Sequence, residues 1–367
     1  MTLIADPPSR SSAPAVNPPR WFLGRGLDPL VAGAWIPFAL AVHVARDRGS
    51  IDTVLGFAFL VSLVHQPVTL ALVYGDESTR ATRHRLFMWS PLVLGAAVVI
   101  GMQVSLVGVA VVAGLWNAVH TMLQRYGIVR IYGRRAGQAG ATGERTLLLS
   151  WLALALVAAA ADPATPARVE SLDLGARNAA ALGILTDLRP FARPLLLLGL
   201  LVTVLLTAGW IRGERRRVVD GEANPAKWLY VGSTAALLAW SAIDPIGAFI
   251  AYIGSHAVEY LLVVNGALPR RWAGGIGLVP RLVDARGGRV RFFAAYAAVL
   301  AVLSTALRAF DDGSTYRMAI LTLGGLHNLY DGFIWKLREP TVARVLAPAP
   351  GDRAWRERGQ PVSAKPS

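Results

Sequence analysis

Cysteine is absent from the 367 residues of this chain. Without a thiol the protein forms no disulfide, no thiolate metal site and no covalent c-type haem, and it has no cysteine nucleophile. Charged residues are also scarce, at 16% of the chain, whereas 54% of the residues are hydrophobic and the mean hydropathy is +0.45. Soluble domains rarely reach this balance, so the composition indicates a polytopic integral membrane protein.

Negative charge is the scarcer sign, because 23 Asp and Glu stand against 37 Lys and Arg, for a net charge of +14. In a membrane protein such an excess is typical of cytoplasmic loops, which favours the lipid bilayer over nucleic acid as the partner. The first 20 residues contain no apolar run of the kind found in a signal peptide, and they are rich in proline and serine. We therefore predict disordered tails over residues 1–24 and 341–367.

Ten apolar segments lie between the two predicted tails, and their lengths suit helices that cross a bilayer. We predict an all-α transmembrane bundle of about ten helices over residues 25–340, in the inner (plasma) membrane. Two very short joints, Met102–Gln103 and Asp244–Pro245, predict helical hairpins with antiparallel neighbours. The segments are 29–45, 51–74, 86–101, 104–126, 146–161, 192–211, 228–243, 246–267, 292–307 and 316–337.

The arginine-rich loops all fall on one side of such a bundle. The clusters around Arg83, Arg134, Arg216 and Arg289 lie in even-numbered loops, on the same side as the two predicted tails. The positive-inside rule makes this side the cytoplasm, so both termini are predicted to be cytoplasmic. The longest outer connection, 162–193, has an amphipathic pattern and predicts a short helix at the membrane surface.

Four of the six histidines stand at membrane depth, in segments that all run in the same direction. Structural histidines at unrelated helix contacts would have no reason to share both direction and depth. We therefore predict one cluster, with the other two histidines, His43 and His84, outside it. The four clustered residues are His65, His120, His256 and His327.

Polar neighbours accompany these histidines, since Gln124, Glu259 and Asp331 each follow one of them by three or four residues. A carboxylate at membrane depth is costly unless it is paired, metal-bound or facing water. Imidazoles and carboxylates from several helices suit iron, zinc or manganese in a bundle core. We predict that the four histidines are metal ligands. Glu259, Asp331 and Gln124 are the predicted catalytic residues, with the two acids as further ligands or as groups that orient an imidazole.

Two other functional classes use the same residues. The four histidines could form two axial pairs on haem in a membrane electron carrier. Alternatively, Glu259 and Asp331 could relay protons in a proton-coupled transporter, although no pair of broken helices recurs in two comparable halves. Arg125 and Arg130, near the inner ends of their helices, are expected to reach the lipid headgroups.

Histidines with nearby carboxylates on membrane helices resemble the membrane-bound non-haem iron oxygenases, in particular the Brp/Blh type of β-carotene-cleaving dioxygenase. His327 followed by Asp331 is similar to that family's late histidine and aspartate, and the other three match its dispersed intramembrane histidines. The family's Pro-His and His-Phe signatures are absent here, as are the HxxxH and HxxHH boxes of the desaturases. The resemblance implies oxidation of a lipid-soluble substrate by non-haem iron and dioxygen, with an electron-donor partner left open.

Overall fold

The computed structural model describes residues 20–138, 143–170, 176–309 and 314–348. Over these residues all the regular elements are helices and no strand occurs, which confirms the all-α prediction. The helices are α1 (Leu27–Ala32), α2 (Ile36–Asp47), α3 (Ile51–Tyr74), α4 (Glu77–Thr82), α5 (His84–Arg135), α6 (Glu144–Ala161), α7 (Thr165–Glu170), α8 (Ala176–Val219), α9 (Pro225–Trp240), α10 (Pro245–Arg271), α11 (Leu278–Asp284), α12 (Gly288–Ala309), α13 (Ser314–Ile334) and α14 (Pro340–Leu346).

Six helical stretches in the described part of the chain are long and apolar enough to cross a membrane. They are Ile51–Tyr74, His84–Leu106, Glu144–Ala161, Arg189–Val219, Pro245–Arg271 and Gly288–Ala306. On α8 the side chains of Leu197, Leu201 and Leu205 are all exposed. Exposed leucines on such an apolar helix fit lipid rather than water as the solvent, so the chain has the character of an integral membrane protein.

α5 is sharply bent, because its backbone leaves the helical conformation at Ser105 (φ −163°, ψ 106°). The break separates a first arm, 84–104, from a second arm, 106–135. A Cβ built on Gly101 would lie 2.6 Å from Cγ2 of Val109, although eight residues of straight helix would span about 12 Å. The chain therefore turns back close to the joint that the sequence predicts.

The second predicted joint is also present, between α9 and α10. The side chain of Asp244 accepts a hydrogen bond of 3.0 Å from the backbone N–H of Gly247 and so caps the first turn of α10. α10 then runs through the interior of the bundle and packs against α2, α3 and α9. All of its residues from Ile250 to Ala257 are buried.

One end of the bundle is defined by contacts between segments that are distant in sequence. Arg135, at the end of α5, donates hydrogen bonds to the carbonyls of Trp21 (2.9 Å) and Leu346 (3.1 Å). Asn224, just before α9, donates to the carbonyls of Arg20 (3.0 Å) and Tyr132 (2.8 Å). The beginning and the end of the described chain therefore meet at this end of the bundle.

These contacts correct the predicted limits of the two tails. Residues 20–24 and 341–348 pack onto the bundle, with Phe22 and Leu346 buried. Their apolar side chains are the physical reason, since each short segment covers part of the core beneath it. The rest of the predicted tails, 1–19 and 349–367, lies outside the described residues.

The connection predicted over 162–193 is helical on both sides of residues 171–175, which lie outside the described part of the chain. α7 occupies its first part, and α8 already begins at Ala176. α8 then continues through Pro190 and Pro194 as far as Val219. The sixth predicted segment is thus the middle of one much longer helix.

Candidate metal centre

The structure brings the four deep histidines together from α3, the second arm of α5, α10 and α13. Five pairs of imidazole rings have centroids between 4.6 and 6.0 Å apart. The side chains are buried, with His120 the most accessible of the four at 9%. The predicted cluster is therefore confirmed, and His43 and His84 are exposed outside it.

Two ring nitrogens of the cluster have the spacing of neighbouring ligands around one ion. Nε2 of His65 and Nε2 of His327 are 3.1 Å apart. Two nitrogen ligands at about 2.1 Å from one metal ion, at right angles, would lie about 3 Å apart. Two overlapping groups have ligand atoms that all fall within 4.8 Å of one another. One is His65, His256 and His327, and the other is His120, His327 and Asp331.

Several ring nitrogens in the cluster have no hydrogen-bond partner among the described residues. Both nitrogens of His256 are in this position, as is Nε2 of His120. A buried polar atom without a partner is costly, and nearly all such atoms in folded proteins are paired. A divalent metal ion would bind the free lone pairs, so the donor set fits an ion such as iron, zinc or manganese.

Asp331 presents one carboxylate oxygen to the cluster and has the other held in place. Its Oδ2 lies 3.7 Å from Nε2 of His327 and 3.8 Å from Nε2 of His120. Because hydrogen bonds hold Oδ1 in place, Oδ2 remains available as a metal ligand or as a negative charge close to a metal. Oδ1 accepts three hydrogen bonds, from Thr69 Oγ1 (2.8 Å), Tyr260 OH (2.9 Å) and Trp335 Nε1 (3.2 Å).

Thr69 links the acid to an imidazole, and it is not among the site residues predicted from the sequence. Its hydroxyl donates to Asp331 Oδ1 and also lies 2.8 Å from Nδ1 of His327. Because that hydroxyl proton is used on Asp331, Oγ1 accepts the Nδ1–H of His327. This tautomer leaves the Nε2 lone pair of His327 free to bind a metal. Thr69 follows His65 by four residues on α3, so the spacing rule that found the acids would have found it.

Glu259 lies in a buried ion pair rather than among the imidazoles. Arg125 donates to Oε1 at 2.5 Å and Tyr230 donates to Oε2 at 2.5 Å. Arg125 also donates to Thr234 (3.0 Å) and Ser255 (2.9 Å), and its side chain is fully buried. Glu259 is predicted as a ligand or as a group that orients an imidazole, and the groups of possible ligand atoms in the described part of the chain do not include it. The interpretation that Arg125 reaches the headgroups is wrong, because a charge partner meets it inside the bundle.

Gln124 is half-buried one helical turn beyond His120. Both of its amide atoms lack a hydrogen-bond partner among the described residues, and no hydrogen bond joins it to the histidines. The predicted role of Gln124 as a partner of the cluster is therefore not supported by its position.

A cavity of about 980 Å³ lies beside the cluster, between α3, the two arms of α5, α10 and α13. Its walls are largely apolar. Its amide side chains, Gln66, Asn117 and Asn328, stand close in sequence to three of the histidines, and Gln66 and Asn328 are their direct neighbours. An apolar pocket with a few convergent polar groups is the usual form of a small-molecule site.

Comparison of the chain with protein-family models, with curated proteins and with solved structures finds no match. The chemistry that the site can support therefore has to follow from its own residues.

The imidazole rings are in edge contact with one another, with His65 and His327 centroids 4.6 Å apart. This leaves no space for a porphyrin plane between them, so the arrangement does not fit two axial pairs on haem.

Proposed function

We propose that the protein is an integral membrane metal-dependent oxidoreductase that oxidises a lipid-soluble substrate at a non-haem iron. The proposed ligands are His65, His120, His256 and His327. The observation that carries the proposal is His256, which is fully buried beside the other three imidazoles with both ring nitrogens unpaired among the described residues. The four neutral imidazoles would hold the iron, and the iron would supply redox chemistry with dioxygen.

The other residues of the centre would orient the ligands and handle protons. Thr69 holds His327 in its ligating tautomer, and Asp331 keeps Oδ2 available to accept a proton or a hydrogen bond at the cluster. The apolar walls of the cavity exclude water and suit a substrate that arrives from the bilayer. An electron-donor partner belongs to the proposal where the oxidation needs more electrons than the substrate provides.

The proposal includes ten crossings of the plasma membrane with both termini in the cytoplasm. Support comes from the contacts of Arg135 and Asn224, which join 20–21, the end of α5, the segment before α9 and the end of α14 at one end of the bundle. The opposite end carries the ion pair between Arg46 and Asp244, at the end of α2 and the start of α10. The chain would therefore pass between the two ends an even number of times.

Metal analysis of purified protein tests the function. The protein would be purified by a tag without histidines, and bound iron, zinc and manganese would be measured by mass spectrometry. We expect close to one iron per chain in the wild type. In His256→Ala we expect at least a tenfold loss of affinity, since even groups outside the ligand set change it about 10–100-fold.

His84→Ala is the matched control, because it removes an exposed histidine. Its iron content should equal that of the wild type. If the wild type held no more metal than His256→Ala, the proposal of an oxidoreductase would be contradicted. The proton-coupled transporter would then be the better hypothesis. If the protein instead held one zinc or manganese ion per chain, the proposed iron, and the oxidation by iron and dioxygen, would be wrong.

A further inference from the structure

The cavity beside the histidines is long, and one of its ends lies near the metal centre. On α13 its lining runs from Tyr316 to Asn328, which corresponds to about 18 Å of helix. On α3 it runs from Gly56 to Gln66, about 15 Å. Gln66 and Asn328 mark the inner end, next to the histidines. The dimensions therefore fit an extended hydrocarbon chain rather than a compact ring system.

The side of the cavity is accessible from the lipid. Phe59 and Leu60 on α3 and Phe249 on α10 line it, and all three side chains are exposed. In a membrane protein such a surface faces hydrocarbon. A lipid could therefore enter sideways, without passing through water.

The inner end of the cavity carries polar atoms that the protein does not pair. Asn328, which is 8% exposed, has no partner for Oδ1 among the described residues, and Gln66 has none for Oε1. Leaving such amide groups buried and unpaired is costly. A hydroxyl group both donates and accepts hydrogen bonds, so it satisfies an amide in either orientation.

We propose that this cavity binds a neutral, single-chain lipid with a hydroxyl group. The chain lies between α3, α5 and α13, and the hydroxyl group hydrogen-bonds Asn328 and Gln66 beside the histidines. This substrate class rests on the proposed function for its oxidation, whereas the binding itself needs no metal.

The lining also distinguishes this lipid from its competitors. The described lining contains no charged side chain. A fatty-acid carboxylate or a phospholipid headgroup would therefore be buried without a cation to pair it. A hydrocarbon without oxygen would fill the walls but leave the two amides unpaired.

Competition between three probes tests the proposal. Deuterated hexadecanol, hexadecane and palmitate would be offered together to the purified full-length protein, and the bound probes would be counted by mass spectrometry. We expect hexadecanol to be retained roughly tenfold better than either competitor, which corresponds to one hydrogen bond to a buried group. In Asn328→Leu, which keeps the size of the side chain, the preference over hexadecane should fall, and in the double variant with Gln66→Leu it should fall to near one. Equal retention in the wild type, or an unchanged preference in the variant, would overturn the proposal.

Filling the cavity provides a second measurement. A Cβ built on Gly56 or Gly114 meets no atom within 4 Å, and both residues line the cavity. Gly56→Leu and Gly114→Leu should therefore reduce the binding of all the probes. Gly232→Leu is the control, because its Cβ position is equally open on α9, away from the cavity. Probe binding that is as strong in both filled variants as in the control would place the lipid elsewhere.

Iron content measured in the same samples separates this proposal from the function. A protein that prefers hexadecanol but holds no iron would overturn the oxidoreductase and keep the lipid site. A protein that holds iron but binds the three probes equally would overturn the lipid site and keep the oxidoreductase.

Discussion

His327 and Asp331 stand one helical turn apart on α13, and both contact the hydroxyl group of Thr69. Their roles nevertheless differ. His327 turns its Nε2 toward Nε2 of His65, whereas Asp331 has one oxygen committed to three donors. The imidazole therefore offers a ligand atom, and the carboxylate combines charge with the orientation of its neighbours.

Substitutions at these two positions should have unequal effects on metal binding. His327→Ala removes a proposed ligand and should abolish metal occupancy. Asp331→Asn keeps the shape and loses the charge, so it should weaken metal affinity by about 10–100-fold where Asp331 acts by orienting the imidazoles. Titration against a competing chelator measures both, with His84→Ala as the control. A proton-coupled transporter would behave in the opposite way, since Asp331→Asn would stop coupling and His327→Ala would be tolerated.

Thr69 should matter through its hydroxyl group alone. Thr69→Val keeps the shape but leaves Nδ1 of His327 and Oδ1 of Asp331 each short of one partner. We expect metal affinity to fall by about tenfold and the free energy of unfolding to fall by about 1–3 kcal/mol. Thr69→Ser restores the hydroxyl and should recover the affinity. Equal losses in both variants would contradict a role of the hydroxyl group alone, because Thr69→Ser keeps the hydroxyl and loses only the methyl group.

At the scale of helices, the pair of Arg125 and Glu259 joins the second arm of α5 to α10, and Tyr230 and Thr234 bring α9 to the same contact. These helices carry His120 and His256. The pair is fully buried, so neither charge has water to stabilise it. The contact between these two helices therefore depends on both charged partners being present.

Removing one partner should cost more than removing both. Arg125→Met leaves a buried carboxylate unpaired and should lower the free energy of unfolding by about 3–5 kcal/mol, as should Glu259→Met from the opposite side. The double variant should be more stable than either single one. Denaturant unfolding in detergent measures all three.

The pair of Arg46 and Asp244 is the natural control, since its arginine side chain is 49% exposed. Arg46→Met should change the free energy of unfolding by no more than about 1 kcal/mol. If the losses in the two single variants at Arg125 and Glu259 simply add in the double variant, the two charges do not depend on each other.

At the scale of the molecule, the side of each loop can be measured directly. Reporter fusions after Arg217 and after Arg291 should both report the cytoplasm, because the arginine-rich loops fall on that side. A fusion after Ala161, at the end of α6, should report the outer side. An outer signal after Arg217 or Arg291 would contradict the ten crossings.

The sequence by itself determined the class of protein and the members of the cluster. Hydropathy and helical spacing are local properties, so they identify membrane helices and show which polar residues lie deep in them. The shared direction and depth of His65, His120, His256 and His327 were enough to predict that these side chains meet.

Only the tertiary structure decided which acid lies beside the histidine cluster. Glu259 and Asp331 each lie one turn from a clustered histidine, and nothing in their local sequence distinguishes them. The rotation of each helix and the identity of its neighbours make the difference, since Glu259 meets Arg125 whereas Asp331 meets Thr69. Such contacts join residues up to 262 positions apart, and they follow from how whole helices pack rather than from spacing along one helix.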